Sequence, residues 1–369
     1  MQSNIDFCHI FIKIKLKTKI LEFKFKSKSN MLRKHVKTKK ISAFTQREEI
    51  MKKIVVIEPG YLEYSSELEV LKEFDPSISV VKLGTVKSEI LNEVKDADAI
   101  LVREAKVDKE IIDAALNCQI IVRYGVGVDN IDLDYAKTKS IKVANVPDYG
   151  SEDVAEHALA LLLATSRRIP SRNNDVHNGI WGVGQKEVMP RLSGKILGVI
   201  GFGRISQCFI KKASGIGFSK IIAFDPMFNE EIGNKLGVTQ VSLEELCKTA
   251  DFISLHAPLL PSTKEIINEN TLSLMKENVV LVNTSRGGLV NENDLYQALV
   301  ENKIYAAGLD VFNQEPIAKD NKLLTLSNVI TTDHTAWYTA ESVIELQKKA
   351  ALEIKRVFLN QDPMHWVNQ

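Results

Sequence analysis

The sequence predicts an α/β protein built from two doubly wound parallel-sheet domains. Short β-branched runs alternate with amphipathic stretches from Lys53 onward, and the same alternation begins again near residue 195. Strands joined by helical crossovers form parallel sheets, so two such series predict two sheets. The length of 369 residues also suits two domains of ordinary size.

The first series leads into a long helix. Three pairs of a strand and a helix are predicted at residues 54–57 and 65–74, 99–102 and 108–116, and 119–123 and 133–139. A helix then begins at Ser151, because acidic residues follow it directly and Arg167 and Arg168 lie at the far end, which complements the helix dipole. Residues 173–184 are rich in Asn and Gly and are predicted to form a loop.

The second series contains predicted strands at residues 195–200, 221–224, 279–285, 305–311 and 329–332, with a helix at 207–215. The last helix, at residues 340–358, follows the final strand, and we expect it to pack back on the first unit. The domain boundary is placed near Gly150. Residues 51–150 and 336–369 are thus predicted to form one domain, and residues 151–335 the other.

The charge is unevenly distributed along the chain. The formal net charge is +1, yet residues 1–50 carry +9 and the remainder −8. We interpret residues 1–50 as a lysine-rich, disordered extension with Met51 as the working start, since the segment lacks the features of a secretory or transit peptide. The alternative is an arm that binds nucleic acid or an anionic membrane. We favour the first interpretation and expect neither partner.

Several classes of protein are excluded by composition. No apolar run reaches the roughly 18 to 20 residues of a membrane span, so none is predicted. The four cysteines lie far apart without a CxxC pair, which argues against a zinc site or a disulfide framework. We therefore expect no metal, and a cytoplasmic location.

A glycine turn follows the strand predicted at residues 195–200. Gly201 and Gly203 have the spacing at which the first glycine permits a tight bend and the second lets main-chain amides approach a pyrophosphate. The third glycine of this dinucleotide fingerprint is replaced by Ser206. Asp225 ends the next strand, where its carboxylate can accept both ribose hydroxyls and repel a 2′-phosphate. The sequence therefore predicts a Rossmann domain that binds NAD rather than NADP.

Three polar side chains after later strands suit hydride chemistry. Arg286 follows a buried strand at the edge where ligands bind, and its guanidinium can hold a carboxylate through two hydrogen bonds. His334 follows the last strand and can carry a proton, with Glu315 as the partner of its far ring nitrogen. His256 also follows a strand and is the competing proton carrier. Such a set predicts hydride transfer to or from a 2-hydroxy acid.

The first unit offers candidate substrate contacts. The main-chain amides of Val126 and Gly127 lie in a glycine-bearing loop after a strand and can bind a carboxylate. Arg103 also ends a strand and either meets a distal anionic group such as phosphate or remains a solvated charge. This arrangement predicts that the substrate lies between the two domains.

These motifs together resemble the D-isomer-specific 2-hydroxyacid dehydrogenase family, from about Ile54 to Phe358. The resemblance rests on the segments beginning GVGVDNI at Gly125, VAEHAL at Val154, GFGRI at Gly201, NTSRGGLV at Asn283 and GLDVF at Gly308, and on the pair Glu315 and His334. It implies a flavodoxin-like substrate domain beside the NAD-binding domain, and dimerisation through the latter.

The resemblance also implies site roles. Arg286 would orient the substrate, Glu315 and His334 would relay the proton, and Asp310 would lie near the nicotinamide amide. The expected cofactor contacts are Gly201, Gly203, Arg204, Ile205, Asp225, Ala257, Thr284, Ser285 and Asp310. The expected substrate contacts are Arg103, Tyr124, Val126, Gly127 and Trp337.

Two segments are specific to branches of this family. The segment REAKV from Arg103 resembles phosphoglycerate dehydrogenases, so the expected function is an NAD-dependent D-2-hydroxyacid dehydrogenase, with 3-phosphoglycerate as a candidate substrate. The segment HTAWY from His334 is similar to the branch of C-terminal-binding proteins. An NADH-sensing corepressor without significant turnover is therefore the alternative function, and Trp337 would narrow the substrate pocket.

Overall fold

The computed structural model describes residues 51–58, 60–82, 84–182 and 188–369. The lysine-rich segment of residues 1–50, for which the sequence predicts disorder, lies outside the described residues.

The first sheet has five parallel strands in the order β2-β1-β3-β4-β5. Its strands are β1 (Lys53–Ile57), β2 (Ser77–Val81), β3 (Ala99–Val102), β4 (Ile120–Arg123) and β5 (Lys142–Ala144). Its helices are α1 (Ser65–Leu71), α2 (Lys87–Glu93), α3 (Lys109–Ala114) and α4 (Leu133–Thr138). Strands β3 and β4 are fully buried and rich in β-branched residues, as is typical of a parallel sheet covered on both faces. The strand order is that of flavodoxin-like sheets, as expected.

The second sheet has seven parallel strands in the order β12-β11-β10-β9-β6-β7-β8. They are β6 (Ile196–Ile200), β7 (Lys220–Phe224), β8 (Val238–Gln240), β9 (Phe252–Leu255), β10 (Val280–Asn283), β11 (Ala306–Leu309) and β12 (Val329–Thr331). Between them lie α7 (Arg204–Ala213), α8 (Glu230–Leu236), α9 (Leu243–Thr249), α10 (Glu269–Ser273) and α11 (Glu292–Val300). The strand order reverses between β6 and β9, which is the position where open α/β sheets bind ligands. The predicted fold class is confirmed.

Two long helices connect the halves of the molecule. Helix α5 (Ser151–Ser166) packs on α7, β10 and β11, whereas α12 (Ala340–Phe358) packs on α1 and β4. Thr339 caps α12, and its Oγ1 donates a hydrogen bond of 2.6 Å to Asp153 in the first turn of α5. We propose on these contacts that residues 51–150 with 336–369, and residues 151–335, are the two domains.

The prediction of a loop over residues 173–184 is wrong at its start. Helix α6 (Ile169–His177) occupies that part of the chain. Pro170 lies in its first turn, where the ring's fixed φ favours a helix and no amide hydrogen is needed, so the Asn residues that follow continue a helix already begun. The helix predicted at residues 207–215 likewise begins earlier, at Arg204.

Among the helices that the structure describes, none has the length and apolar character needed to cross a membrane.

Candidate active site

The glycine turn lies at the carboxyl end of β6, beside the end of β9. Gly201 has a φ of +93°, and a Cβ there would lie 2.6 Å from the main-chain nitrogen of Ala257. A side chain is therefore excluded both by backbone conformation and by the neighbouring strand. Gly203 is different, because a Cβ at this position would have no heavy atom within 4 Å. The second glycine thus leaves open space at the start of α7, a helix whose first turn has no side-chain cap.

Asp225, directly after β7, forms a hydrogen bond with this glycine turn. Its Oδ2 accepts a hydrogen bond of 2.6 Å from the main-chain nitrogen of Phe202, and its Oδ1 accepts one of 2.7 Å from Met227. The carboxylate is therefore fixed against the glycine turn. Ser206, which replaces the third glycine of the fingerprint, is buried and donates its hydroxyl to the oxygen of Gly203 at 2.9 Å.

A cavity of about 820 Å³ lies between the two sheets. Its walls come from both halves of the chain and include many of the predicted site residues, namely Arg103, Tyr124, Val126, Gly127, Ile205, Ala257, Thr284, Ser285, Arg286, Asp310, His334 and Trp337. Five other predicted residues are not part of this lining, namely Gly201, Gly203, Arg204, Asp225 and Glu315. The described residues contain no group of three or more His, Cys, Asp or Glu side chains arranged to hold a metal ion.

His334 and Glu315 form a close pair at this cavity. The Nδ1 atom of His334 lies 2.6 Å from Oε2 of Glu315. Burial acts to raise the pKa of Glu315, but the hydrogen bond and the charge of His334 outweigh it, so the pKa lies below its ordinary value. An ionised carboxylate only accepts hydrogen bonds, so Nδ1 of His334 carries the proton and Nε2 is left for other chemistry.

Arg286 reaches across the cavity from the second sheet to the first. Its Nη1 donates to the oxygen of Ser285 at 2.8 Å, and its Nε lies 3.8 Å from Oδ2 of Asp129. A Cβ on Gly127 would lie 2.0 Å from Nη2 of Arg286, so the guanidinium lies against bare main chain. The absence of a side chain at Gly127 therefore gives this arginine its position between the halves.

Asp310 and Trp337 hold the segment that carries His334. The carboxylate of Asp310 is fully buried and accepts 3.0 Å hydrogen bonds from the main-chain nitrogens of Thr335 and Ala336. The indole of Trp337 donates to the main-chain oxygen of His334 at 3.0 Å. Both side chains lie at the cavity, but each also supports the loop of His334.

Comparison with known proteins assigns this arrangement to a family. Residues 159–336 match the family model described as the NAD binding domain of D-isomer specific 2-hydroxyacid dehydrogenases. The chain is 43% identical over 278 residues to a hydroxypyruvate reductase of Thermotoga maritima, which covers 74% of this chain and 87% of that protein.

The chain belongs to the D-isomer specific 2-hydroxyacid dehydrogenase family.

Two further relatives show the range of this dehydrogenase family. A D-3-phosphoglycerate dehydrogenase of Methanocaldococcus jannaschii is 44% identical over 309 residues, or 83% of this chain, which spans only 57% of that longer protein. The crystal structure of a D-lactate dehydrogenase from Aquifex aeolicus, complexed with NAD and lactic acid, is 31% identical. It superposes with a TM-score of 0.76 over 86% of this chain and 99% of its own.

The prediction of NAD as the cofactor is confirmed by the family match. The residues at the glycine turn also suit the binding of NAD. The open space at Gly203 and the uncapped start of α7 suit a pyrophosphate, because an uncapped helix start presents main-chain N–H groups to an anion. The carboxylate of Asp225, fixed beside this turn, suits the ribose hydroxyls.

His256, the competing proton carrier, is a poor candidate in this site. Its Nε2 lies 2.9 Å from the hydroxyl of Ser254, and its Nδ1 is buried without a hydrogen-bond partner in the described structure. Burial lowers the pKa of His256 to about 3. The ring is therefore neutral near pH 7 and lacks the additional proton that an acid would donate, so its place is in the lining of the cavity beside Ala257.

Two residues of the domain that contains the first sheet were not singled out from the sequence. Arg123 is the last residue of β4 and is buried at the cavity, where its Nη2 lies 3.2 Å from Oε1 of Glu104. Glu67 on α1 is fully buried and accepts a 2.6 Å hydrogen bond from the hydroxyl of Tyr124. Burial raises the pKa of Glu67. Strand-end position could have identified Arg123, but nothing near Glu67 in the sequence points to Tyr124.

Proposed function

We propose that this chain is an NAD-dependent D-2-hydroxyacid dehydrogenase that carries hydride between NAD(H) and the C2 atom of a small 2-hydroxy or 2-oxo acid. One observation carries the proposal. A histidine paired with a carboxylate at 2.6 Å and an arginine from another strand face the same cavity, beside a glycine turn suited to a dinucleotide. This is the set that proton and hydride transfer at one carbon requires.

Each of the three side chains has a separate role in the reduction of a 2-oxo acid. Arg286 binds the carboxylate of the 2-oxo acid and fixes its orientation. Nε2 of His334 gives its proton to the oxygen on C2, while Glu315 keeps the opposite nitrogen protonated and stabilises the charged ring. When bound, NADH supplies the hydride. In oxidation, His334 takes the proton back from the hydroxyl.

The substrate class we propose carries a second anionic group, as 3-phosphoglycerate does. Arg103 and Arg123 both line the cavity on the substrate side, and the Nε atom of each is buried without a hydrogen-bond partner in the described structure. Glu104 neutralises only part of this charge, at 3.8 Å from Arg103 and 3.2 Å from Arg123. A relative named D-3-phosphoglycerate dehydrogenase supports the same class.

The corepressor alternative rests on the segment around Trp337. In the structure this indole contacts the loop of His334 and packs edge-on against Tyr149, 6.1 Å between ring centroids. These contacts give it a role in the dehydrogenase site, and the relatives named above are dehydrogenases and reductases. No observation favours the corepressor, so the enzyme is the single proposed function.

We also propose a homodimer that forms through the NAD-binding half. Helix α6 and the residues after it expose a run of large apolar side chains, Ile169, Val176, Ile180, Trp181 and Val188. Trp181 and Val188 are 88% and 87% exposed, which is costly in water and typical of a surface covered by a partner. The free buried thiols of Cys118 and Cys247 support the cytoplasmic location that we propose with it.

A panel of 2-oxo acids with NADH tests the function. The wild-type protein should oxidise NADH with at least one acid, and the phosphorylated acid should have the highest kcat/KM. His334→Ala should lower kcat by about 10²- to 10⁴-fold while NADH binding, followed by fluorescence, is unchanged. Glu301→Gln, at an exposed ion pair with Lys303, is the control and should behave as wild type. No turnover of any acid by the wild-type protein would refute the proposal.

A further inference from the structure

Helix α5 approaches strand β11 unusually closely at Gly308. A Cβ on Gly308 would lie 2.8 Å from Oγ1 of Thr165 and 3.3 Å from Cβ of Leu161, both on α5. The missing side chain therefore lets the helix lie directly on the strand. His157, Leu161 and Thr165 are spaced by four residues, so they share one face of α5. His157 lies about 12 Å along the axis from Thr165, which brings it to the carboxyl ends of the strands.

There His157 begins a chain of hydrogen bonds. Its Nε2 lies 3.0 Å from Oγ1 of Thr332, directly after β12, and this hydroxyl lies 2.5 Å from Oδ1 of Asp310. A threonine hydroxyl has one proton, and the carboxylate can only accept. Thr332 therefore gives its proton to Asp310 and accepts the N–H of His157. The contact fixes a proton on Nε2 of His157.

Asp310 in turn forms hydrogen bonds with the loop that carries His334. Its two carboxylate oxygens accept the main-chain N–H groups of Thr335 and Ala336 at 3.0 Å each, and its main-chain oxygen accepts that of His334 at 2.8 Å. His334 has a φ of +55°, a left-handed conformation that is unfavourable for a residue with a side chain. These hydrogen bonds hold the loop in that conformation, so the orientation of the Asp310 carboxylate determines where the His334 ring lies.

We infer that His157 is a positioning residue for proton transfer, acting through Thr332 and Asp310 on the loop of His334. The inference rests on the proposed function. His157 does not line the cavity, so its effect on turnover is indirect. Its Nε2 also lies 3.6 Å from Oδ1 of Asp310, which adds a favourable contact to a fully buried carboxylate.

A pair of substitutions at position 157 tests the inference. His157→Leu removes the donor to Thr332, and we expect kcat to fall about tenfold, the value of one good hydrogen bond, with the dissociation constant of NADH unchanged. His157→Gln carries an amide that can reach the place of Nε2 and should restore most of the lost kcat. A kcat of His157→Leu equal to wild type, or of His157→Gln as low as that of His157→Leu, overturns the inference.

Coupling to Thr332 gives a second test. Thr332→Val breaks the same chain of hydrogen bonds, so the double variant with His157→Leu should be no slower than the slower single variant. Losses that multiply would show independent roles and overturn the inference.

A measurement without turnover separates this inference from the proposed function. Long-range ¹H–¹⁵N spectra of the histidine rings should show Nε2 of His157 protonated in wild type, and they apply even if His157→Leu does not fold. A ring protonated on Nδ1 alone overturns the inference. If the wild-type protein reduces no acid, the proposed function fails. The position of the proton on the ring of His157 still supports or overturns its hydrogen bond to Thr332, because this measurement does not depend on turnover.

Discussion

Glu315 binds the ring of His334 with one carboxylate oxygen and the main chain of Phe312 with the other. Oε2 lies 2.6 Å from Nδ1 of His334, while Oε1 accepts the N–H of Phe312 at 2.9 Å. The main-chain bond prevents the carboxylate from rotating away. The histidine is thus oriented by a group that is itself fixed, as proton transfer at a defined atom requires.

Replacing this carboxylate should lower the rate. The pKa of Glu315 lies below its ordinary value, so its charge is present throughout neutral pH. In Glu315→Gln that charge is lost, and the amide can also turn its NH₂ group towards the ring. We expect kcat for NADH-dependent reduction to fall about 10²-fold, with the dissociation constant of NADH unchanged. The control Glu301→Gln, at an exposed ion pair, should keep the wild-type kcat. A wild-type kcat in Glu315→Gln would contradict this role.

The two glycines of the turn should respond differently to alanine. Gly201→Ala introduces a Cβ 2.6 Å from main-chain atoms at a φ of +93°, so we expect a loss of about 2 kcal/mol or more in the free energy of unfolding. Gly203→Ala meets no protein atom within 4 Å and should unfold like wild type, but its methyl group enters the space suited to pyrophosphate. Its dissociation constant for NADH should rise about tenfold or more. Denaturant melts and NADH titrations measure both, and an unaltered NADH affinity in Gly203→Ala would contradict the assignment of the turn.

Asp225 should determine the choice between NADH and NADPH. Its carboxylate is fixed by Phe202 and Met227 beside the turn, and it repels a 2′-phosphate at that place. We expect Asp225→Ser to weaken NADH binding and to strengthen NADPH binding, each by about tenfold. Titrations of both nucleotides with wild type and variant measure the change in preference. A wild-type protein that binds NADPH more tightly than NADH would contradict the prediction.

His256 should make the fold sensitive to acid. Its pKa is about 3 in the folded protein and about 6.5 in an unfolded chain. Between these values the unfolded state binds more protons, so stability falls as the pH is lowered below about 6.5, by at most about 1.4 kcal/mol per pH unit. His256→Gln removes this titration and should flatten the dependence, whereas the exposed His177→Gln should not. The free energies of unfolding at pH 7, 6 and 5 measure this dependence. If wild type and His256→Gln lost the same free energy of unfolding over this range, the role of His256 would be disproved.

The sequence predicts best those features that repeat locally. The alternation of buried strands and amphipathic helices predicted both sheets, and strand-end position brought Arg286 and His334 into one cavity. Contacts between distant segments left no local signal. His157 lies in a helix that is apolar in pattern, and its partner Thr332 is 175 residues away. The hydroxyl of Tyr124, an expected substrate contact, binds Glu67 on α1, 57 residues away. Such pairs are set by how helices pack on sheets, which the local pattern does not contain.

The hydrogen bond between Thr339 and Asp153 has a mechanical consequence. It joins the starts of two long helices, where the chain passes between the two domains that we propose. A rotation of one domain about these two adjacent points would keep them together, whereas a sliding motion would separate them. Such a rotation would displace the far margins of the cleft more than its base.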